Sequence, residues 1–215
     1  MTKLVIFDWD GTLMDSERQI VHCMQMSAHD LELVVPTYES VRHIIGLGLP
    51  EAIERLFPRH DAGIRELIRQ GYARHFVANA AVQSNLFPGA IELLDELRGQ
   101  GLLLAVATGK SRIGLDRVLT KTGLTSFFNV TRTADETVSK PHPRMLHEIL
   151  AETGVMPGDA IMIGDTTFDM EMAERADMPR IGLAHGVHET KALRAFAPLM
   201  IADDLFALAA HLRSL

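Results

Sequence analysis

Four short stretches of the chain carry side chains that do chemistry once they are brought together: Asp8-Trp9-Asp10-Gly11-Thr12, Thr108-Gly109-Lys110-Ser111, Lys140-Pro141-His142-Pro143 and Gly164-Asp165-Thr166-Thr167-Phe168-Asp169. In the first, two carboxylates stand two residues apart, and Gly11 lets the chain curl so that both face one site. In the second, a hydroxyl and the free N–H groups of a starting helix suit a phosphoryl oxygen. In the third, Pro141 biases Lys140 towards an extended backbone and Pro143 opens a helix, so one lysine is held in a stiff turn. In the fourth, Asp169 follows Asp165 by four positions, and one helical turn puts both on the same side. Each stretch alone also has a plainer account: helix N-caps for the first, second and fourth, and a solvated loop lysine for the third. Gly109-Lys110-Ser111 looks like the end of a nucleotide-binding P-loop, but that motif needs a glycine where Leu104 stands, so the likeness is rejected.

Taken together the plainer accounts weaken. If the stretches meet, Asp8, Asp10, Asp165 and Asp169 crowd one cleft. Two like charges ~4 Å apart repel by roughly 4 kcal/mol at an effective dielectric of 20. Such a cluster must take up protons or hold a cation. Hard oxygen donors with positions left for water favour Mg²⁺. A cation, a lysine and a threonine around a carboxylate make a phosphoryl-transfer site.

The elements that would position these residues are legible as short apolar runs: Lys3 to Phe7, Leu102 to Ala107, Phe127 to Thr131, Ala160 to Ile163, Arg180 to Leu183 and Leu199 to Ala202. Each chemical stretch is read as lying just after a strand, and in open parallel sheets ligands bind outside the carboxyl ends of the strands. Between the runs lie helical stripes: Ala90, Leu93, Leu94 and Leu97; Leu115, Val118 and Leu119; Leu146, Ile149 and Leu150. The fold expected is α/β, a doubly wound, Rossmann-like parallel sheet covered on both faces. From Ser16 to Ser84 no strand is evident. Instead Val21, Met24, Ala28 and Leu31, then Leu49, Ala52, Ile53 and Leu56, then Ile64, Leu67, Ile68, Tyr72 and Phe76 repeat at helical spacing. The expected division is a core of 1–15 and 85–215 with an all-helical domain, 16–84, inserted above the strand ends.

Composition bounds the partners. The 215 residues hold 21 Lys and Arg against 28 Asp and Glu, a net charge of −7, and 47% are hydrophobic. That is an ordinary globular balance and unlike a disordered chain. The acidic excess argues against a nucleic-acid partner. No apolar run approaches the ~18–20 residues of a membrane span, so no membrane is expected. The chain opens on a strand rather than a basic and then apolar leader. Its single cysteine, Cys23, forms no internal disulfide. The expected location is the cytoplasm.

The four stretches, in this order and at strand ends, resemble the haloacid dehalogenase superfamily in its phosphatase branch. The likeness spans Asp8 to Asp169, and the helical insertion falls where that family carries a cap domain. The general arrangement is similar to phosphoglycolate phosphatase-like members with a helical cap. The resemblance implies that Asp8 is a nucleophile forming an aspartyl-phosphate. It implies that Asp10 is the general acid and base, that Thr108 binds the transferring phosphoryl group and that Lys140 neutralises its charge. It implies that Asp165 ligates Mg²⁺ with a carboxylate oxygen of Asp8 and the backbone carbonyl of Asp10. Asp169 would orient the metal's waters or Lys140. Contacts to a small phosphorylated metabolite, phosphoglycolate or its like, are expected from Trp9, Gly11, Thr108 and Gly109. Trp9 either walls the site or packs beneath it. In the insertion, the glycine-broken segment from His43 to Gly48 is the candidate loop to reach the leaving group, with His43 and Gly46 as contacts and Arg42 or Leu47 as alternatives. A monomer or homodimer is expected.

Within the same resemblance, Asp10 favours phosphate esters over haloacids. The phosphonate-cleaving relatives use a cap lysine, and no lysine stands between Lys3 and Lys110. Phosphohexomutases share the core motifs and remain an alternative, as does a dehalogenase that retains Asp10. A non-enzymatic, phospho-accepting receiver-like domain also gathers acids, a threonine and a lysine at strand ends. It would need no helical insertion, and its acceptor would not lie on the first strand.

Overall fold

The computed structural model describes residues 2–78 and 84–213. Residues 79–83 of the expected insertion lie outside the described residues. In chain order the elements are β1 (Leu4–Phe7), β2 (Met14–Asp15), α1 (Glu17–Asp30), α2 (Tyr38–Arg42), α3 (Leu49–Leu56), α4 (Ala62–Ala78), β3 (Asn85–Leu86), α5 (Ala90–Gly99), β4 (Leu103–Thr108), α6 (Arg112–Thr122), β5 (Val130–Thr133), α7 (Arg144–Thr153), β6 (Ala160–Gly164), α8 (Thr167–Arg175), β7 (Arg180–Leu183), α9 (Thr190–Arg194), β8 (Ile201–Ala202) and α10 (Leu205–Leu212).

Six strands form one sheet in the order β5-β4-β1-β6-β7-β8, and every pairing in it is parallel. The side-chain period of two divides its residues between two cores. Val5, Phe7, Leu104, Val106, Ile161 and Ile163 face the layer of α5, α6 and α10. Leu4, Ile6, Ala105, Ala107, Ala160 and Met162 face α7 and α8. Burial on both faces is why these strands read as continuous apolar runs. The chain leaves β1 for β4 and β5 on one side, then returns to β6, β7 and β8 on the other, so β1 lies where the winding reverses.

Between β2 and β3, helices α1 to α4 pack around their own cluster of Ile20, Val21, Met24, Val41, Ile53 and Ile68, which also takes in Phe168 and Val187 from beyond β6. Two differences from expectation stand out. β2 and β3 pair antiparallel as a ribbon at the base of this helical block. Two-residue strands are too short to show a periodicity. The third expected run, Phe127 to Thr131, is displaced: β5 begins at Val130. Phe127 and Phe128 instead pack against the core from a turn, and Asn129 joins the ladder through its N–H to the Leu104 carbonyl at 2.8 Å.

The helical block is seated on the sheet's carboxyl edge. The N–H of Gly48 donates to Ser139 Oγ at 2.7 Å, and a Cβ on Gly109 would collide with the carbonyl oxygens of Gly46 and Leu47. The close approach of two backbones therefore needs glycine at 109. We expect Gly109→Ala to cost about 1–3 kcal/mol of stability in chemical denaturation. Gly99→Ala, where a methyl meets nothing within 4 Å, should be neutral or stabilising by up to about 1 kcal/mol. Equal effects would contradict the seating.

Candidate active site

The register of the sheet levels the chemical residues. Phe7 lies opposite Val106 and Ile163, and the Asp8 N–H continues the ladder to the Ile163 carbonyl at 2.9 Å. Asp8 thus leaves the sheet beside Thr108, the last residue of β4, and Asp165, the first beyond β6. Asp8, Asp165 and Asp169 each present a carboxylate oxygen within 4.8 Å of the others, and all three are buried. Lys140 arrives from the loop after β5 with its side chain fully buried, its Nζ 2.8 Å from Asp8 Oδ1 and 2.6 Å from Asp169 Oδ1.

Each carboxylate is aimed by its neighbours. Thr12 Oγ1 donates to Asp165 Oδ1 at 2.6 Å and the Val187 N–H donates to Oδ2 at 2.9 Å. Asp169 accepts from the N–H and hydroxyl of Thr166 at 3.1 and 2.7 Å, and the Asp169 N–H donates to Thr166 Oγ1, closing a capping box on α8. Asp169 therefore pairs with Lys140 while its other oxygen is held by Thr166. Gly11 has φ +84°, and a Cβ there would run into the Asp165 carboxylate. Asp10 stands apart from the trio. Lys110 Nζ donates to its two oxygens at 2.8 and 2.9 Å, and Ser16 Oγ donates to Oδ1 at 2.5 Å.

Burial without enough positive charge sets the electrostatics. It lifts the Asp8 carboxyl well above the usual carboxylate range; Lys140 pulls it back, and Asp169 and Asp165 push it higher. Burial, then Asp169, raises Asp165 to about 7. Burial works against the charge on Lys140, but Asp169 and Asp8 hold its pKa above the usual lysine value.

A cleft of about 410 Å³ opens between the helical block and the strand ends, with Asp8, Asp10, Gly46, Gly109 and Lys110 in its lining. Some expected contacts are elsewhere. The Trp9 side chain has no exposure. It lies in the core and meets Phe128 edge to face, with centroids 6.3 Å apart. Residue 9 continues the alternation of Val5 and Phe7, so its side chain falls on the core face beneath the site. His43 is exposed and stacks on His188 at 5.1 Å, outside the cleft lining. Thr108 is buried, and its Oγ1 accepts from the Lys110 N–H at 3.2 Å. The Asp10 carboxylate is not among the three that converge.

Thr12, Ser16, Lys110 and the Val187 N–H were not singled out for roles in the sequence. Thr12 and Lys110 stood within the quoted stretches. Ser16 and Val187 carried no signal, because only the folded chain brings them to an aspartate.

Whether Mg²⁺ fits is tested by the donors themselves. Asp8 Oδ2 is buried and accepts no hydrogen bond. Of the three carboxylates only Asp8 and Asp169 touch the Lys140 ammonium, and every converging donor is a hard oxygen. The trio fits a divalent cation. The sign of the pH dependence follows from Asp165. Its pKa rises from 3.8 to about 7 on folding. The cation-free native state then keeps a proton that the unfolded chain has lost. That stability is complete below about pH 4 and falls away as pH rises through about 7. A cation replaces the proton, so its benefit grows with pH. One proton over one to two pH units is worth about 1.4–2.7 kcal/mol, or roughly 3–10 °C in a chain of this size. We expect saturating Mg²⁺, measured against EDTA, to raise Tm by that much more at pH 8 than at pH 5.5. A pH-independent increment would contradict it.

The profile of the family "Haloacid dehalogenase-like hydrolase" matches residues 5–183. "Probable phosphatase IndB" of Dickeya dadantii is 36% identical over 208 residues, covering 94% of this chain and 90% of its own. "Phosphoglycolate phosphatase" of Agrobacterium fabrum is 30% identical over 213 residues, covering 97% and 91%. Among solved structures, a haloacid dehalogenase-like hydrolase of Bacteroides fragilis superposes with a TM-score of 0.90 at 25% identity, over 97% of this chain and 100% of that one. With its parallel sheet, its buried acidic trio and these relatives, the chain belongs to the haloacid dehalogenase-like hydrolases, in their phosphatase branch, and is a phosphoric monoester hydrolase.

Proposed function

We propose that the protein is an Mg²⁺-dependent phosphatase that hydrolyses a small phosphate monoester through an aspartyl-phosphate on Asp8. The observation that carries this reading is the Asp8 carboxylate, which lines the cleft, is buried, and has an oxygen with no hydrogen-bond partner beside the Lys140 ammonium. Such an oxygen is placed to attack phosphorus, while Lys140 offsets the charge gathered between nucleophile and phosphate. As the Asp8 oxygen bonds to phosphorus, the bond to the leaving oxygen breaks and Asp10 gives that oxygen a proton. Asp10 then takes a proton from the water that attacks phosphorus, and the Asp8 carboxylate is released. Lys110 and Ser16 fix where the Asp10 carboxylate points. The Thr108 hydroxyl and the adjoining helix start would hold phosphoryl oxygens.

Asp8, Asp165 and Asp169, with the backbone carbonyl of Asp10, would hold the divalent cation, which supplies positive charge against the phosphoryl oxygens. In this reading residues 1–15 and 85–215 form the catalytic core and 16–84 a cap that excludes bulk water. Among the described residues no helix is long and apolar enough to cross a membrane. Cys23 is a buried free thiol whose pKa burial lifts to about 11. A single unreactive thiol suits a reducing compartment, and the reading places the enzyme in the cytoplasm.

Asp8→Asn should abolish turnover of an alkyl phosphate ester with Mg²⁺. Asp10→Asn should slow it by about 10²–10⁴-fold and leave a phosphoryl adduct on Asp8 visible by intact mass. Repeated release of phosphate by the native chain separates an enzyme from a receiver that labels once. Near-native turnover by Asp8→Asn would reject the mechanism.

A further inference from the structure

The walls of the cleft say more about the leaving group than the catalytic residues do. Away from Asp8 and Asp10 the lining is dominated by Ile20, Ile44, Ile45, Leu49, Tyr72 and Phe76. Tyr72 and Phe76 present two rings from α4, 5.7 Å apart and tilted by 36°. The volume of about 410 Å³ persists with the helical block seated on Gly109 and Ser139, so it belongs to the docked arrangement. Clefts that enclose ligands much larger than a two-carbon acid begin at roughly 300 Å³.

The charges in the lining point the same way. A hydroxy acid such as glycolate brings a second anion, which needs a cation waiting at the far end of the cleft. Lys110 already donates to both oxygens of Asp10 and lies over the Phe76 ring at 5.1 Å. Arg69 is held by Glu66 through two hydrogen bonds, at 2.7 and 2.6 Å. Arg117 is an exposed residue of α6. Glu51 and Asp135 add negative charge to the lining. A carboxylate driven against the apolar walls would lose its hydration there, with Lys110 and Arg69 already paired and Arg117 exposed to solvent rather than buried among those walls.

From this we infer that the leaving group is an uncharged alcohol carrying an apolar ring, seated between α1, the turn before α3 and the Tyr72–Phe76 face of α4. The inference rests on the phosphatase reading above and names the class of ester that the same site takes. The ring would be desolvated by aliphatic and aromatic walls while the phosphate stays at Asp8.

The experiment compares kcat/KM with Mg²⁺ for benzyl phosphate, ethyl phosphate and 2-phosphoglycolate, with p-nitrophenyl phosphate as a substrate of reactive leaving group. Benzyl and ethyl phosphate release alcohols of similar basicity, so their ratio reads contact rather than leaving-group chemistry. A single methylene of pocket contact discriminates by about 10–200-fold. Benzyl phosphate should therefore exceed both ethyl phosphate and 2-phosphoglycolate by at least about tenfold. The benzyl-to-ethyl ratio should fall at least about threefold in Phe76→Ala. The inference is overturned, with the phosphatase reading intact, if p-nitrophenyl phosphate is hydrolysed but 2-phosphoglycolate or ethyl phosphate matches benzyl phosphate. A ratio unchanged in Phe76→Ala overturns it equally. Failure to hydrolyse any of the four esters removes the phosphatase reading, and this inference with it.

Discussion

Lys140 reaches the carboxylates of Asp8 and Asp169 from a loop beyond the edge strand, and among the described residues its ammonium is the one positive charge that touches both. The rest of the site is arranged around the imbalance this leaves. Three almost wholly buried carboxylates converge at the ends of β1 and β6, where unpaired charge is costly. The protein tolerates them by holding each in position. Thr12 and the Val187 N–H take Asp165, Thr166 takes one side of Asp169, and Lys140 spans Asp169 and Asp8. What is left over is a gap lined by carboxylate oxygens, which on the proposed reading a divalent cation and a phosphoryl group would fill together.

The sheet exists, for function, to hold that gap open. Parallel strands buried on both faces fix the ends of β1, β4 and β6 in one register. The winding reverses at β1, so the loops after β4 and β6 diverge and leave a crevice. The helical block meets the edge of this crevice by close backbone approach at Gly109 and by the Gly48 N–H on Ser139 Oγ. The turn from His43 to Gly48 therefore serves two ends: it docks against Gly109 and Ser139, and its Ile44 and Ile45 form part of the apolar wall.

Much of this was legible in the sequence because strands buried on both faces leave apolar runs, and chemistry at their ends leaves Asp, Thr and Lys in fixed places. The runs at Ala160 and Arg180 begin β6 and β7, which span Ala160–Gly164 and Arg180–Leu183. What sequence did not show was of two kinds. Elements of two residues, such as β2 and β3, carry no period, and the aromatic pair Phe127-Phe128 mimicked a strand while packing from a turn. Pairings between distant residues were also hidden: Lys110 with Asp10 across 100 positions, and Val187 with Asp165. Trp9 is instructive because its signal was present. The alternation of Val5 and Phe7 carries it to the core face, and its neighbouring aspartates drew attention to the other side.

Burial raises the Asp8 and Asp165 carboxyls, so on the proposed reading they hold protons in place of a cation and surrender them when the cation binds. Isothermal titration of the protein with Mg²⁺ at pH 6.5, repeated in buffers of different ionisation enthalpy, measures this directly. One site per chain is expected, with a net release of at least roughly half a proton per ion bound, and loss of binding in Asp165→Asn. Binding without proton release, or undiminished in Asp165→Asn, would contradict it.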